Sequence, residues 1–189
     1  GRLHTLERIQ SRVDKNEPAD KWLERHGLAS LPRLWQMIEV EAGWEDAVES
    51  VLRERLHALA LTDEAALDAL LADPPATRLT LFTPAGEAMP VAPVTGYRAL
   101  ASLIRFKEAA VAPLVAEWLS SYYAVDETPT ADACRMLPLG TVLVGRGGHQ
   151  FRRHAVSFHA ADTGDAGILA RQREIEGLRK ALDEMHAAL

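Results

Sequence analysis

"LWQMIEVEAGWEDAVESVLRERLHALAL", residues 34–61, has a counterpart later in the chain: "LASLIRFKEAAVAPLVAEWLSSYYAV", residues 100–125. At a constant offset Met37 meets Leu103, Ile38 meets Ile104 and Val40 meets Phe106. Further along, Val48 meets Leu114, Leu52 meets Trp118 and Leu56 meets Tyr122. Each copy reads as an apolar segment, an amphipathic helix and a short strand, "LHALAL" or "YYAV". An acidic turn follows, then a second helix. These helices are "AALDALLA", capped by Thr62 or Asp63, and "ADACRML", capped by Thr128 or Thr130. A further strand closes each copy, "RLTLF" and "GTVLV". Two copies of one unit predict an α+β fold of paired half-domains related by a pseudo-twofold axis. A solenoid would need more repeats.

Outward from the duplication, "TPAGEAMPVAPVTG" (residues 83–96) holds Pro84, Pro90 and Pro93 without periodicity. It reads as a packed linker between the halves. The C-terminal stretch places Ile168, Ile175, Leu182 and Leu189 every seven residues, with Leu178 and Met185 three residues after two of them. That is the a/d seam of a coiled coil, with Arg171 at the remaining d position. At the other end Leu3, Leu6 and Val13 sit at seam spacing, with Gln10 between and Ile9 alongside. The two terminal helices are expected to pair antiparallel, although two ordinary amphipathic helices on a core would also carry this pattern. Pro18 breaks the first heptads. Asp20 then caps a short helix, "KWLERH", which Gly27 ends. A start at Gly1 rather than Met, and heptads still running at Leu189, suggest a piece excised from a longer chain.

The composition is that of a globular domain: 48% hydrophobic and 25% charged residues can bury a core. The single cysteine, Cys134, excludes an intramolecular disulfide and any multi-thiolate zinc site, and reads as a small core residue. No apolar run reaches membrane-spanning length and no signal peptide opens the chain, so a cytoplasmic setting is expected. A net charge of −6 argues against a protein built mainly to hold nucleic acid.

Catalytic signatures are absent. "VGRGGHQF" (residues 144–151) lacks the Lys-Ser/Thr ending of a phosphate-binding loop, and Gly147-Gly148 reads as a hairpin turn. His149, His154 and His159 recur every five residues, which faces neither a helix nor a strand side, so neither metal nor cofactor is expected. Glu45, Asp46 and Glu49 read as the solvated face of a helix. One charge feature stands out. From Ala133 to Ala161 there is no acid, while Arg135, Arg146, Arg152 and Arg153 fall there. It reads either as a basic edge that resists aggregation or as a weak phosphate-contacting patch.

The order heptad helix, duplicated α/β unit, heptad helix resembles the hinge domain of the SMC (structural maintenance of chromosomes) proteins, in its proteobacterial form. The resemblance is carried by "LWQMIEVEAGWEDAVESVL", "LPLGTVLVGRGG" and "GILARQREIEGL". It departs at the end of the second half. Many members carry two Gly-Gly pairs there, and this chain has single glycines at Gly164 and Gly167. Where relatives place lysines before the returning arm, Asp162 and Asp165 stand.

The resemblance implies a non-enzymatic homodimerisation module at the far end of a long antiparallel coiled coil, with the ATPase head and kleisin partners elsewhere in the protein. Nucleoid association and a role in chromosome condensation and segregation go with it. The alternative is a weak, sequence-independent DNA-binding module with dimerisation secondary. The expected organisation is an arm at 1–16, half-domain I with linker at 17–94, half-domain II at 95–161 and an arm at 162–189. Candidate dimer contacts are Arg78, Leu79 and Leu81 in the first half and Gly147, Gly148, Phe151, Val156 and Phe158 in the second. Candidate DNA contacts are Arg146, Arg152 and Arg153.

Overall fold

A computed structural model describes residues 1–83, 94, 96–160 and 167–189. Most of the linker reading, and the departures at Asp162, Gly164 and Asp165, lie outside the described residues. The chain opens with α1 (Arg2–Gln10) and α2 (Glu17–Arg25). Asn16 caps α2 by accepting the Ala19 N–H, and Pro18 stands in the first turn, where its missing N–H is no loss. Asp20 is therefore inside the helix and not its cap. Gly27, at φ +71°, follows the end of the helix as expected.

The first half-domain comprises α3 (Leu34–Met37), β1 (Ile38–Val40), α4 (Glu45–Leu52), β2 (Leu59–Ala60), α5 (Ala65–Leu71) and β3 (Leu81–Phe82). The second comprises β4 (Arg98–Ala99), a 3-10 turn (Leu100–Leu103), β5 (Ile104–Phe106) and α6 (Ala112–Trp118). It continues with β6 (Tyr122–Ala124), α7 (Ala131–Arg135), β7 (Val142–Val144), β8 (Gln150–Arg152) and β9 (Ala155–Ser157). Helix α8 (Ile168–Ala188) leaves the domain.

A shift of 66 positions carries α3 onto the 3-10 turn, β1 onto β5 and α4 onto α6. Strands β1 and β5 pair antiparallel, Ile38 with Phe106 and Val40 with Ile104, about the central pair Glu39–Arg105. Only the central pair, Glu39 and Arg105, joins equivalent residues, while each flanking pair is exchanged with the other, so the pseudo-twofold axis passes between Glu39 and Arg105. Past α4 an extra 3-10 turn, Arg53–His57, lengthens the first copy. Leu56 therefore lies in that turn, and Ala58, not Leu56, takes the place of Tyr122, while Leu59 corresponds to Tyr123: the Leu61 N–H meets the Phe82 carbonyl as that of Val125 meets Val144.

Each unit then builds a parallel strand pair, β2 with β3 and β6 with β7. The second sheet extends to five strands in the order β4-β6-β7-β8-β9, whereas among the described residues the first gains only a bridge from Arg33 to Leu59. The main core lies between the halves, with Leu34, Ile38, Trp44 and Leu52 meeting Leu100, Ile104, Val115 and Leu119. Each half also has an outer cluster: Trp22, Leu23, Leu59, Leu61 and Leu70 in one, Tyr123, Cys134, Leu137, Leu143 and Phe151 in the other. No helix among the described residues is long and apolar enough to cross a membrane.

Candidate assembly edge and arm junction

Strand β9 is the outermost strand of the five-stranded sheet. Its inner side pairs with β8, Val156 opposite Phe151, and its outer side pairs with nothing among the described residues. All three of its residues are exposed. Val156 is 45% exposed and Phe158 78%, with the His149 ring edge-on to Phe158 at 5.3 Å. Beside them runs a groove with Ala131, Cys134, Phe151 and Arg153 in its walls. An exposed strand side leaves backbone donors and acceptors available to another chain.

In the first half β3 pairs only with β2, so its far side is also open among the described residues. Arg78 is exposed there, while Leu79 and Leu81 are half-buried over the outer cluster. Phe151 is 9% exposed and belongs to the second half's outer cluster, because β8 turns it inward against Leu143. Gly147 is exposed at the β7–β8 hairpin, and Gly148, at φ +92°, is buried. Its N–H donates to the Gly145 carbonyl at 3.0 Å, as a hairpin turn requires. Sequence reading missed Met136 and Leu139, which are 84% and 89% exposed between α7 and β7. Their only signal was two large apolar residues in a stretch without periodicity.

The three candidate DNA contacts do not form one cluster. Arg152 and Arg153 lie at the β8–β9 turn, with Arg152 held to Gln150 at 3.0 Å and Arg153 exposed. Arg146 lies at the opposite end of the β7–β8 hairpin. Its guanidinium is 4.5 Å from the centre of the Trp44 ring and pairs with Asp126 at 2.9 Å. Arg135 pairs with Asp132. Acids from outside the acid-free stretch thus neutralise part of it.

The arms meet the domain at a second place. Glu49 is buried, contrary to the solvated face read from sequence. Its carboxylate accepts the N–H groups of Gly167 at 2.9 Å and Ile168 at 2.8 Å, capping the first turn of α8. Glu45 is drawn in by Arg173 at 2.8 Å, and Arg173 also donates to the Val40 carbonyl. Asp46 alone of the three acids is exposed. His159 reaches the same place, with a ring nitrogen within 4.8 Å of carboxylate oxygens of Asp46 and Glu49.

Helices α1 and α8 pack antiparallel: Gln10, ending α1, donates to the Ile168 carbonyl at 2.9 Å at the start of α8. Arg2 reaches Glu174 at 2.8 Å and Arg179 reaches Glu7 at 2.9 Å. Arg2 holds the Glu174 carboxyl below the usual glutamate range. Burial pushes Glu176 up, but hydrogen bonds from Lys107 and Gln172 outweigh it and leave that carboxyl lowered.

Leu6 and Ile175 are buried between the arms, and Leu3 and Leu178 half-buried. Val13 does not extend the seam, because α1 stops at Gln10; Val13 packs into the main core instead. Ile168 joins that core as well. Leu182, Met185 and Leu189 lie beyond the reach of α1 and are exposed.

A duplicated α/β unit with open strand sides, from which two helices leave together, is a connector at the turn of a helical hairpin. The chain belongs to the family described as the SMC proteins' flexible hinge domain, whose family model matches residues 28–135. It is 38% identical over 180 residues to the chromosome partition protein Smc of Burkholderia pseudomallei (strain 1710b), and 40% identical over 183 residues to that of Bordetella petrii. These alignments cover 95% and 96% of this chain but only 15% and 16% of those proteins. Among solved structures it resembles an asymmetric dimer of the Geobacillus stearothermophilus SMC hinge domain, with a TM-score of 0.63 at 18% identity. That match covers 98% of this chain and 87% of the other. The Pyrococcus furiosus Smc hinge domain with an extended coiled coil gives 0.57 at 17% identity, covering 99% and 73%.

Proposed function

We propose that this chain is the homodimerisation hinge of a chromosome-organising SMC protein. Its arms lead to ATPase heads and kleisin partners, and the whole protein serves chromosome condensation and segregation at the nucleoid. The observation that carries the dimer is the open side of β9 with Val156 and Phe158 bare beside it. In the pairing we favour, β9 of one protomer lies against the open side of β3, with Arg78, Leu79 and Leu81, in the other. The second copy makes the same contact in reverse, so two contacts close a ring in which neither β9 nor β3 keeps a free side to polymerise. Gly147, exposed on the hairpin, lets a partner backbone approach closely.

Mass measured by light scattering across dilution tests this. We expect a dimer at tens of micromolar without nucleotide or metal, and a specific interface of roughly 1,200–2,000 Å² in total. The double variant Val156→Asp, Phe158→Asp should be a monomer with unchanged circular dichroism. A wild-type chain that is monomeric at every concentration overturns the proposal.

A further inference from the structure

We propose that Asp46, Glu49 and His159 form a binding site for a divalent transition metal of the Zn²⁺ class, fastening α4 to the exit of β9 at the foot of α8. Asp46 and Glu49 stand one helical turn apart on α4, and His159 comes from the other half-domain 110 residues later, so no linear motif announces the three. Their ligand atoms all lie within 4.8 Å of one another. A zinc ion takes nitrogen and carboxylate oxygen at about 2.0–2.2 Å, which needs only a small closure of such a triad.

Three further observations point to a ligand. The Nε2 of His159 is sealed from solvent and has no hydrogen-bond partner among the described residues. A buried nitrogen left so costs free energy that a bound cation would recover. The imidazole is also held in place from behind. The backbone N–H of His159 donates to Nδ1 of His149 at 3.0 Å, and the His159 ring lies so close to Gly148 that a Cβ there would be 2.6 Å from its Cδ2. Finally, two carboxylates converge on this one imidazole, and the nearby Arg173 is paired with a different acid, Glu45.

The donor set selects the metal. An imidazole with two carboxylates suits Zn²⁺ and its neighbours, whereas Mg²⁺ and Ca²⁺ prefer oxygen throughout. Glu49 would serve two roles, with its remaining lone pairs on the metal while it still accepts the two N–H groups of α8. Three protein ligands leave a fourth position for water.

The experiment uses tag-free protein stripped with a chelator. Zn²⁺ is titrated by calorimetry, and Co²⁺ serves as a spectroscopic probe. We expect one ion per chain, a Co²⁺ visible spectrum of a low-symmetry N/O site, and a higher thermal midpoint with Zn²⁺. His159→Gln should abolish this binding, and His154→Gln, at an exposed turn, should leave it intact. Asp46 is exposed, so Asp46→Asn keeps the fold and decides the matter if His159→Gln does not fold. It should weaken binding by at least the roughly 10–100-fold that even an outer-shell partner carries. No stoichiometric binding, or binding that survives both substitutions, overturns the proposal.

Discussion

Replacing Glu49 by Ala should uncouple α8 from the domain. The carboxylate accepts two backbone N–H groups, at 2.9 Å and 2.8 Å, from the start of the helix. Hydrogen bonds to an ionised acceptor contribute about 1.5–3 kcal/mol each when one partner is removed. Part of that is offset, because the variant no longer holds a carboxylate out of water. The positive end of the helix dipole also loses its counter-charge, about 0.3–1 kcal/mol. We expect a net loss of about 2–4 kcal/mol. Glu49→Gln, which keeps one acceptor oxygen, should lose roughly half of that. Urea unfolding with a chelator present separates this effect from any metal. Amide exchange at Gly167 and Ile168 locates it, since those two N–H groups should exchange fastest in the Ala variant. A stability loss below about 0.5 kcal/mol with both amides still protected would refute the reasoning, because a surface substitution would do as much.

Three other outcomes follow from the geometry. Gly148→Ala forces a side chain into φ +92° and against the His159 ring and the Asp46 carbonyl, so it should cost about 1–3 kcal/mol, read as a lower thermal midpoint. Arg2 holds the Glu174 carboxyl below its usual range, so this contact supports arm pairing above the usual carboxylate range and is lost as pH falls through the lowered folded value. Spin labels at Arg8 and Lys180 should therefore report a broader distance distribution in acid, and Glu174→Gln should show less of that change. If DNA binding is measurable, Arg152→Glu with Arg153→Glu should lower its salt slope by about two, whereas Arg146→Glu should mainly destabilise the fold, since Arg146 is held on Trp44 and Asp126.

The duplication was legible because apolar spacing survives where identity does not. Ile38, Val40, Ile104 and Phe106 pair with one another about the pseudo-axis, and their alternation is visible in the bare sequence. The second helices were legible from their caps: Thr130 accepts the Ala133 N–H and Asp63 the Ala65 N–H. The arms were legible for the same reason as the repeat, since Leu6 and Ile175 had to be covered by something. What stayed hidden depends on contacts between remote residues. Glu49 looks like any acid on a helix until the start of α8, held at the other end of the chain, is brought against it. Phe151 alternates like an interface residue, yet only the stacking of β8 on β7 decides which way it points. Arg146 was counted as a free cation because nothing local reveals that Asp126 and Trp44 wait beside it.

The two arms are attached in mechanically different ways. Helix α8 is built in like a clamped beam: Ile168 and Leu169 are embedded, Glu49 grips its first turn, Arg173 ties it to β1, and Glu176 reaches Lys107 just after β5 at 2.6 Å. Its 21 residues form a lever about 31 Å long. Helix α1 is closer to a strut leaning on that beam, connected to the domain through the turn around Val13. A torque applied far out along the arms therefore enters through α8 and divides between β1 and β5, on either side of the pseudo-axis. Bending the arm then acts as a shear across the Glu39–Arg105 pair, where the two halves share their one strand ladder among the described residues.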